Sequence, residues 1–189
     1  DYAVVTTNIA NPLYYKNKSD EWVLVGSDEW MVSWYSVQSA TTNPVLTAGH
    51  TVVINGSNIT NTGTTVEQFA SNITDAFVTG ISAAAVDGKL EIYADSSVTP
   101  EGSAADGSWD IVTGTGTVLG DLGINPGTYW TPKFTQDTHT NLPRWKSTDT
   151  APRPTGSMWQ KTTAVNNGAN IVVKQYNEAT DSWTNISVP

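Results

Sequence analysis

The sequence predicts an α+β, β-rich fold, with a small antiparallel sheet, one packed helix and a flanking aromatic-rich β-hairpin subdomain formed by the two chain ends. Asn55-Gly56 and Asp87-Gly88 each lie between two apolar runs, which is the pattern of tight hairpins. Residues 66–77 instead carry apolar side chains at helical spacing. Charged residues make up only 14% of the chain, and its many Thr, Asn and Gly residues favour strands and turns.

The first segment, residues 1–44, is predicted to be extended and aromatic. Residues 13–15 and 22–25 form the two arms of an expected hairpin. In an extended conformation, residues 29–38 would place apolar side chains on both faces of the strand. The sequence therefore predicts a further strand here that is covered on both sides. We expect this segment to pack with residues 128–189.

The middle segment, residues 45–127, is predicted to be a β-α-β module. An apolar run leads into the Asn55-Gly56 turn, and a helix follows. Residues 81–86 and 89–93 then alternate as the two strands of a second hairpin. One helix on one face of a small antiparallel sheet is the simplest way to bury these apolar faces.

The helix of this module is predicted over residues 64–77. Thr64 and Glu67 have the spacing of a capping box, in which side chains satisfy the first free backbone amides, and Gly80 follows as a stop signal. One face is apolar and is expected to pack on the sheet. Its residues are Val66, Phe69, Ala70, Ile73, Ala76 and Phe77.

The last segment, residues 128–189, is predicted to be an aromatic hairpin region. Strands are expected at residues 158–163 and 171–176, and a final hairpin returns through residues 183–188. A Tyr-x4-Asp-x-Trp pattern occurs near each chain end, at Tyr15, Asp20 and Trp22 and at Tyr176, Asp181 and Trp183. It indicates either a repeated unit or the chance recurrence of aromatic cross-strand pairs.

The chain is acidic, with a formal net charge of −9 and an isoelectric point of about 4.4. Such a chain repels phosphate backbones, so we expect no nucleic-acid partner. The absence of cysteine excludes disulfides and thiolate metal sites. No apolar stretch approaches the roughly 18 residues of a membrane span, which predicts no membrane insertion.

The sequence carries no recognisable catalytic pattern. His50 and His139 are far apart in the sequence, and neither has another ligand residue at the spacing of a zinc site. The sequence also has no nucleophile motif with which a histidine could form a hydrolase triad. Residues 114–120 are rich in glycine, but the third glycine is misplaced for a dinucleotide loop and no Gly-Lys-Ser/Thr follows. We therefore predict a glycine-rich turn there. We expect no catalytic residue, no cofactor and no metal site.

Acidic side chains leave two alternatives open. Carboxylate pairs act in glycosidases, and clustered carboxylates bind calcium. The candidate pairs are Asp20 with Glu21, Asp28 with Glu29 and Glu101 with Asp106, and the candidate calcium ligands are Asp87, Asp95, Asp106 and Asp110. All of them lie in turn-like polar contexts without a dedicated ligand spacing, which favours solvated surface carboxylates.

Tryptophan is unusually frequent, with eight residues that lie mostly outside the middle segment. Large rings suit the thin core of a small β subdomain, which is the favoured interpretation, but exposed rings also stack on sugars. The candidate surface-binding residues are Trp22, Trp159, Tyr176 and Trp183. They define an alternative function, a carbohydrate- or receptor-binding module that uses exposed aromatic rings.

Several short motifs of the middle segment carry a resemblance to a known family. They are Ala48-Gly49, Val53-Ile54-Asn55-Gly56, residues 66–73, Ile81-Ser82-Ala83, Asp87-Gly88-Lys89-Leu90 and residues 119–123. With these motifs the segment resembles the flagellin-IN type module of flagellins and hook-associated proteins, and related insertions in bacteriophage virion proteins. The chain lacks the long heptad helices of a flagellar core, which argues against a flagellin proper.

Two stretches near the end of the sequence carry a second resemblance. Residues 156–163 contain Gly-x-x-Trp, and residues 176–183 contain Tyr-Asn and Trp. Both stretches look like surface hairpins of phage fibre and tail proteins. Together the resemblances imply a non-enzymatic structural component of a bacteriophage virion, most concretely a surface-exposed domain of a contractile-tail sheath protein. The implied partners are neighbouring copies in a homopolymer and other virion proteins, or alternatively a host surface glycan. The implied location is the virion, assembled in the host cytoplasm, or alternatively an extracellular appendage.

Overall fold

The computed structural model describes residues 1–4, 12–98, 107–137, 156–161, 172–177 and 180–187. The chain divides into two compact units. Tyr35–Thr131 form one, which we call the central unit, and Asp1–Trp34 together with Pro132–Pro189 form the other, which we call the terminal unit. The divisions fall after residues 34 and 131, whereas the sequence analysis placed them after residues 44 and 127.

Short strands and three helices make up the described residues. The helices are α1 Asp28–Met31, α2 Val66–Asp75 and α3 Val118–Leu122. The strands are β1 Tyr2–Val4, β2 Leu13–Lys16, β3 Trp22–Leu24, β4 Val37–Gln38, β5 Thr51–Ile54, β6 Ser57–Thr60, β7 Ile81–Val86, β8 Lys89–Ala94, β9 Ser108–Thr113, β10 Gly127–Trp130, β11 Phe134–Asp137, β12 Met158–Lys161, β13 Val172–Asn177 and β14 Ser182–Ile186. The β-rich α+β class is therefore confirmed.

The central unit contains two antiparallel sheets. One has the order β10-β9-β5-β6 and the other the order β4-β8-β7, with helix α2 packed on β7 and β8. Phe69 and Ile73 of α2 are fully buried in one core with Leu90 and Trp109. Full burial of each such side chain contributes about 1.5–3 kcal/mol. The sequence predicted one sheet here, and the structure contains two.

Both predicted two-residue turns of the central unit are confirmed. Asn55 and Gly56 have φ values of 46° and 79°, and Asp87 and Gly88 have φ values of 50° and 73°. Positive φ at both turn residues matches the right-handed twist of the flanking strands, and Asn, Asp and Gly tolerate it best. The turns fix the registers of β5 with β6 and of β7 with β8.

The N-cap of helix α2 lies one residue later in the chain than predicted. Thr65 is the N-cap, and its hydroxyl accepts a hydrogen bond from the Gln68 backbone N–H at 3.4 Å while the Gln68 side chain accepts one from the Thr65 N–H at 3.3 Å. The capping box is therefore Thr65 with Gln68, not Thr64 with Glu67.

The predicted C-terminal end of this helix is also wrong. Ala76 and Phe77 were expected on the buried face, but both are exposed. The left-handed residue that ends the helix is Phe77, with a φ of 50°, and Gly80 adopts its positive φ three residues later, just before β7.

The strand predicted at residues 29–38 is wrong. Ser27 accepts a hydrogen bond from the Trp30 N–H at 3.3 Å and starts helix α1, which buries Trp30 completely. Only Val37 and Gln38 are extended, as β4 against β8. Alternating apolar residues over so short a stretch do not distinguish a strand from one helical turn that buries a large ring.

The terminal unit contains the antiparallel sheet β1-β2-β3 and the sheet β11-β12-β13-β14, whose first pair is parallel. Its core draws on both chain ends, because Leu13, Val23 and Trp30 pack in one buried cluster with Met158 and Val173. The side-chain amide of Gln175 also donates to the Tyr2 hydroxyl at 3.2 Å.

Candidate functional site

The four aromatic residues predicted to bind at the surface do not form one exposed platform. Trp159 and Tyr176 are 2% and 6% exposed, so the prediction is wrong for these two residues. Trp183 is half-buried and contacts the Tyr176 ring edge-on, with centroids 5.5 Å apart. Of these four residues, Trp22 has the most exposed ring, at 50%. The tryptophans thus serve mainly as core, and Trp145 lies outside the described residues.

The two Tyr-x4-Asp-x-Trp stretches form hairpins of different register. Tyr176 lies directly opposite Trp183, whereas Trp22 lies opposite Lys16. Asp20 and Asp181 both have positive φ in the turns. A one-residue slip moves a side chain to the other face of a strand, so the repeat in sequence is not a repeat in structure.

The histidine and glycine candidates serve packing in the central unit. His50 Nδ1 accepts a hydrogen bond from the Thr117 N–H at 3.2 Å, next to the start of helix α3. A Cβ on Gly116 would lie 2.2 Å from the His50 ring, so glycine is required for this close approach. The glycine-rich stretch was predicted to be only a turn, but it leads into α3. His139 lies outside the described residues.

The acidic candidates are dispersed. Asp20, Glu21, Asp28 and Glu29 are exposed, and Asp87 lies exposed in its turn, while Glu101 and Asp106 lie outside the described residues. Asp95 accepts hydrogen bonds from the Ser97 backbone N–H at 2.8 Å and from its hydroxyl at 2.5 Å, and Asp110 accepts one from Thr128 at 2.6 Å. In the parts of the chain that the structure describes, no three His, Asp or Glu side chains come together in a group suited to a metal ion.

One buried carboxylate was missed by the sequence analysis. Glu91 on the middle strand β8 is 8% exposed and accepts hydrogen bonds from the Gln38 amide, at 2.7 Å, and from the Tyr93 hydroxyl. Burial has the larger effect and this hydrogen bond the next largest, and both raise the pKa of Tyr93 above its ordinary range. The signal in the sequence is that Glu91 alternates with Leu90 and Ile92 in a strand that is covered on both faces.

The central unit has a groove of about 430 Å³ between α2 and β7, which we call the α2–β7 groove. Ala70, Ser71 and Thr74 line its helix side, and residues 83–85, all alanine, line its strand side. Small side chains on both elements leave room that larger ones would fill. The groove was not predicted from the sequence, because it depends on how the two elements pack.

Strand β7 is an edge strand, and helix α2 covers part of its edge. The Thr74 hydroxyl accepts from the Ala83 N–H and donates to the Ala83 carbonyl, both at 3.2 Å. Val86 and Lys89 close the tight turn as a hydrogen-bonded pair, so every second residue of β7 faces away from β8. Ala85 therefore directs its N–H and C=O to the same edge as Ala83.

Two exposed carboxylates, Glu67 and Asp75, lie at the groove. The backbone N–H of Glu67 and the Thr65 side chain hold the pKa of Glu67 below its ordinary value, so this carboxylate is ionised at neutral pH. The whole central unit is anionic. It contains nine of the eighteen Asp and Glu residues but only one of the nine Lys and Arg residues, Lys89, for a formal net charge of −8.

No protein-family model, no curated protein and no solved structure matches this chain. Among the described helices, none combines the length and the apolar character that crossing a bilayer requires.

Proposed function

We propose that this chain is a non-enzymatic structural component of a bacteriophage virion, as a surface-exposed domain of a tail protein such as a contractile-tail sheath subunit. The observation that carries the proposal is the use of polar side chains. In the described residues, the groups most suited to chemistry form local structural hydrogen bonds or lie dispersed in solvent. His50 bonds the start of α3, Asp95 bonds its own turn, and Asp110 and Glu91 bond side chains within the sheets. The resemblance of residues 45–127 to flagellin-IN type modules supplies the virion context.

The proposed function is mechanical. Two small units with separate apolar cores, hairpins fixed by tight turns and few charged groups suit a folded module that decorates a repeating polymer. Neighbouring copies and other virion proteins are the proposed partners. In a contracting sheath these surface contacts have to rearrange, so we expect them to be small and polar, with the polymerising contacts elsewhere.

The experiment is immunogold electron microscopy with antibodies against the purified chain. The sample is tailed particles sedimented from a lysate of the cells that produce the protein. We expect gold at repeated positions along the tail surface, and no gold after the antibody is absorbed with the chain. Protein that stays entirely in the particle-free supernatant, with bare tails, would contradict the proposal.

A second candidate, glycan binding, is favoured by one observation. Trp22 and Leu24 on strand β3 are 50% and 44% exposed, and they lie on one face of the strand because they are two residues apart. The Lys16 ammonium lies 5.9 Å from the centre of the Trp22 ring. A ring flanked by a hydrogen-bond donor is a simple platform for a sugar.

A glycan array with wild type and two variants separates the candidates. If the surface binds sugar, Trp22→Ala abolishes the signal, while Phe77→Ala, which removes an 87% exposed ring from the central unit, leaves it intact. An array without signal for the wild-type chain eliminates this second candidate.

A further inference from the structure

We propose that the α2–β7 groove binds an extended peptide segment of a partner protein that carries two Lys or Arg residues four positions apart. The segment adds to the edge of β7 at Ala85 and places its cations on Glu67 and Asp75. This inference is independent of the virion assignment, because it rests on the groove alone.

The strand edge supplies the backbone contact. Ala85 directs one N–H and one C=O away from β8, while the Thr74 hydroxyl already occupies the edge of Ala83. An incoming strand therefore gains one pair of backbone hydrogen bonds at Ala85 and stops at Thr74. Addition of a strand to an exposed sheet edge is a common mode of peptide recognition. The small side chains of Ala70, Ser71 and Ala84 leave space for the strand.

The negative charge of the α2–β7 groove favours a positively charged segment. The groove carries Glu67 and Asp75, and the unit around it has a formal net charge of −8. An anionic segment would be repelled, and a neutral one would leave both carboxylates without a partner ion. The ion pair of Lys16 with Asp20 lies in the terminal unit. A cationic segment complements the groove.

The spacing of the two carboxylates sets the spacing of the cations. Glu67 and Asp75 are separated by about two helical turns, or about 12 Å along α2. An extended chain rises about 3.4 Å per residue, so residues four apart are separated by about 14 Å, close to the separation of the two carboxylates. Residues four apart also point to the same face of a strand, whereas residues three apart point to opposite faces.

Two synthetic peptides of identical composition and charge test this geometry. The matching probe is acetyl-Val-Lys-Thr-Val-Thr-Lys-Val-amide, and the mismatched probe is acetyl-Val-Lys-Thr-Val-Lys-Thr-Val-amide. Amide NMR titration of the full chain at low salt measures Kd and locates the site. We expect the matched probe to bind about fivefold more tightly, because each exposed ion pair contributes only a modest amount. Shifts should centre on Ala85 and Ser71.

Variants of the full chain provide the controls. Glu67→Gln with Asp75→Asn should remove the difference between the two probes, whereas Asp87→Asn with Asp121→Asn, the same change in charge outside the groove, should keep it. Ser71→Trp, at an exposed helix position, should block both probes without unfolding the chain.

Three results would each overturn the proposal. They are equal affinity of the wild-type chain for the two probes, shifts that avoid the groove, and groove shifts that appear with rising protein concentration alone. The last result would assign the groove to a second copy of the chain. Loss of virion labelling would leave the peptide result unchanged, so the two proposals fail separately.

Discussion

Phe77 shows a local conflict between backbone conformation and side-chain type. Phe77 ends helix α2 with a φ of 50°, and its ring is 87% exposed, so little burial offsets the backbone strain. A left-handed conformation costs a residue with a Cβ roughly 1 kcal/mol, and glycine avoids that cost. We predict that Phe77→Gly raises the free energy of unfolding by about 0.5–1 kcal/mol in urea denaturation. Phe77→Ala keeps the strain and removes the ring, so equal stabilisation by both variants would show that the backbone is not the cause.

Asn61 is the polar side chain on which the loop before helix α2 depends. It is fully buried, and its amide donates to the carbonyls of Thr47, at 2.9 Å, and Gly63, at 2.7 Å. Loss of these donors leaves the buried Gly63 carbonyl without this partner, while the Thr47 carbonyl keeps only a long hydrogen bond from the His50 N–H at 3.4 Å. We predict that Asn61→Ala lowers the free energy of unfolding by about 2–3 kcal/mol. The matched variant at the exposed Asn58 should change it by less than about 0.5 kcal/mol, and similar losses at both sites would refute this role.

Burial of single residues was the least predictable property of the sequence. Trp159 and Tyr176 were predicted to bind at the surface because exposed aromatic rings stack on sugars and because their stretches resemble surface hairpins. Both side chains are nevertheless buried, although the other face of the same strands carries the core residues Met158 and Val173. A strand that is covered on both faces has no polar alternation, and a single sequence does not reveal the second covering layer.

At the scale of elements, helix α2 allows the cap to be assigned by substitution. The Thr65 hydroxyl accepts the hydrogen bond from the Gln68 N–H, whereas Thr64 contributes its backbone carbonyl to the Leu46 N–H. We predict that Thr65→Ala lowers the free energy of unfolding by about 1 kcal/mol, whereas Thr64→Ala has a much smaller effect. Chemical denaturation of both variants measures the difference. A larger loss for Thr64→Ala would restore the cap inferred from the sequence.

The hairpins and helix α2 were predictable because their signals are local. Asn55-Gly56 and Asp87-Gly88 need nothing beyond their own backbone preferences to form tight turns. The strand predicted at residues 29–38 failed because the burial of Trp30 decides the conformation there. The α2–β7 groove was beyond the sequence for a related reason, since three alanines in a strand do not show which element lies opposite them.

At the scale of the whole molecule, the central unit has its own core. Every buried residue of that core lies between Val37 and Ile124, within a continuous stretch of chain. We predict that residues 35–131 expressed alone fold cooperatively, with dispersed amide resonances and a single urea transition. A fragment with the narrow amide dispersion of an unfolded chain would show that the terminal unit is required.

Both units should lose stability in alkali. Burial raises the pKa of Tyr2 in the terminal unit and of Tyr93 in the central unit above the ordinary value. A raised pKa in the folded state means that the unfolded tyrosine loses its proton first, so the stabilising contribution is complete below about pH 10 and falls above it. We predict a falling urea midpoint between about pH 10 and pH 11.5.

The variant carrying Tyr2→Phe and Tyr93→Phe should show a shallower fall over the same range. An identical slope for the variant and the wild-type chain would rule out these two hydroxyls as the cause. Their distribution over both units means that each single variant should remove only part of the effect.

The nesting of one unit inside the other sets the order in which the chain can mature during translation. Residues 35–131 leave the ribosome as a continuous stretch, so their core can close before residues 132–189 have been made. Tyr2, by contrast, meets Gln175 only after the chain has been made as far as residue 175. The nascent N-terminal strands thus have to wait for Met158 and Val173 to complete their apolar core, and this interval is when a holdase chaperone would be most useful.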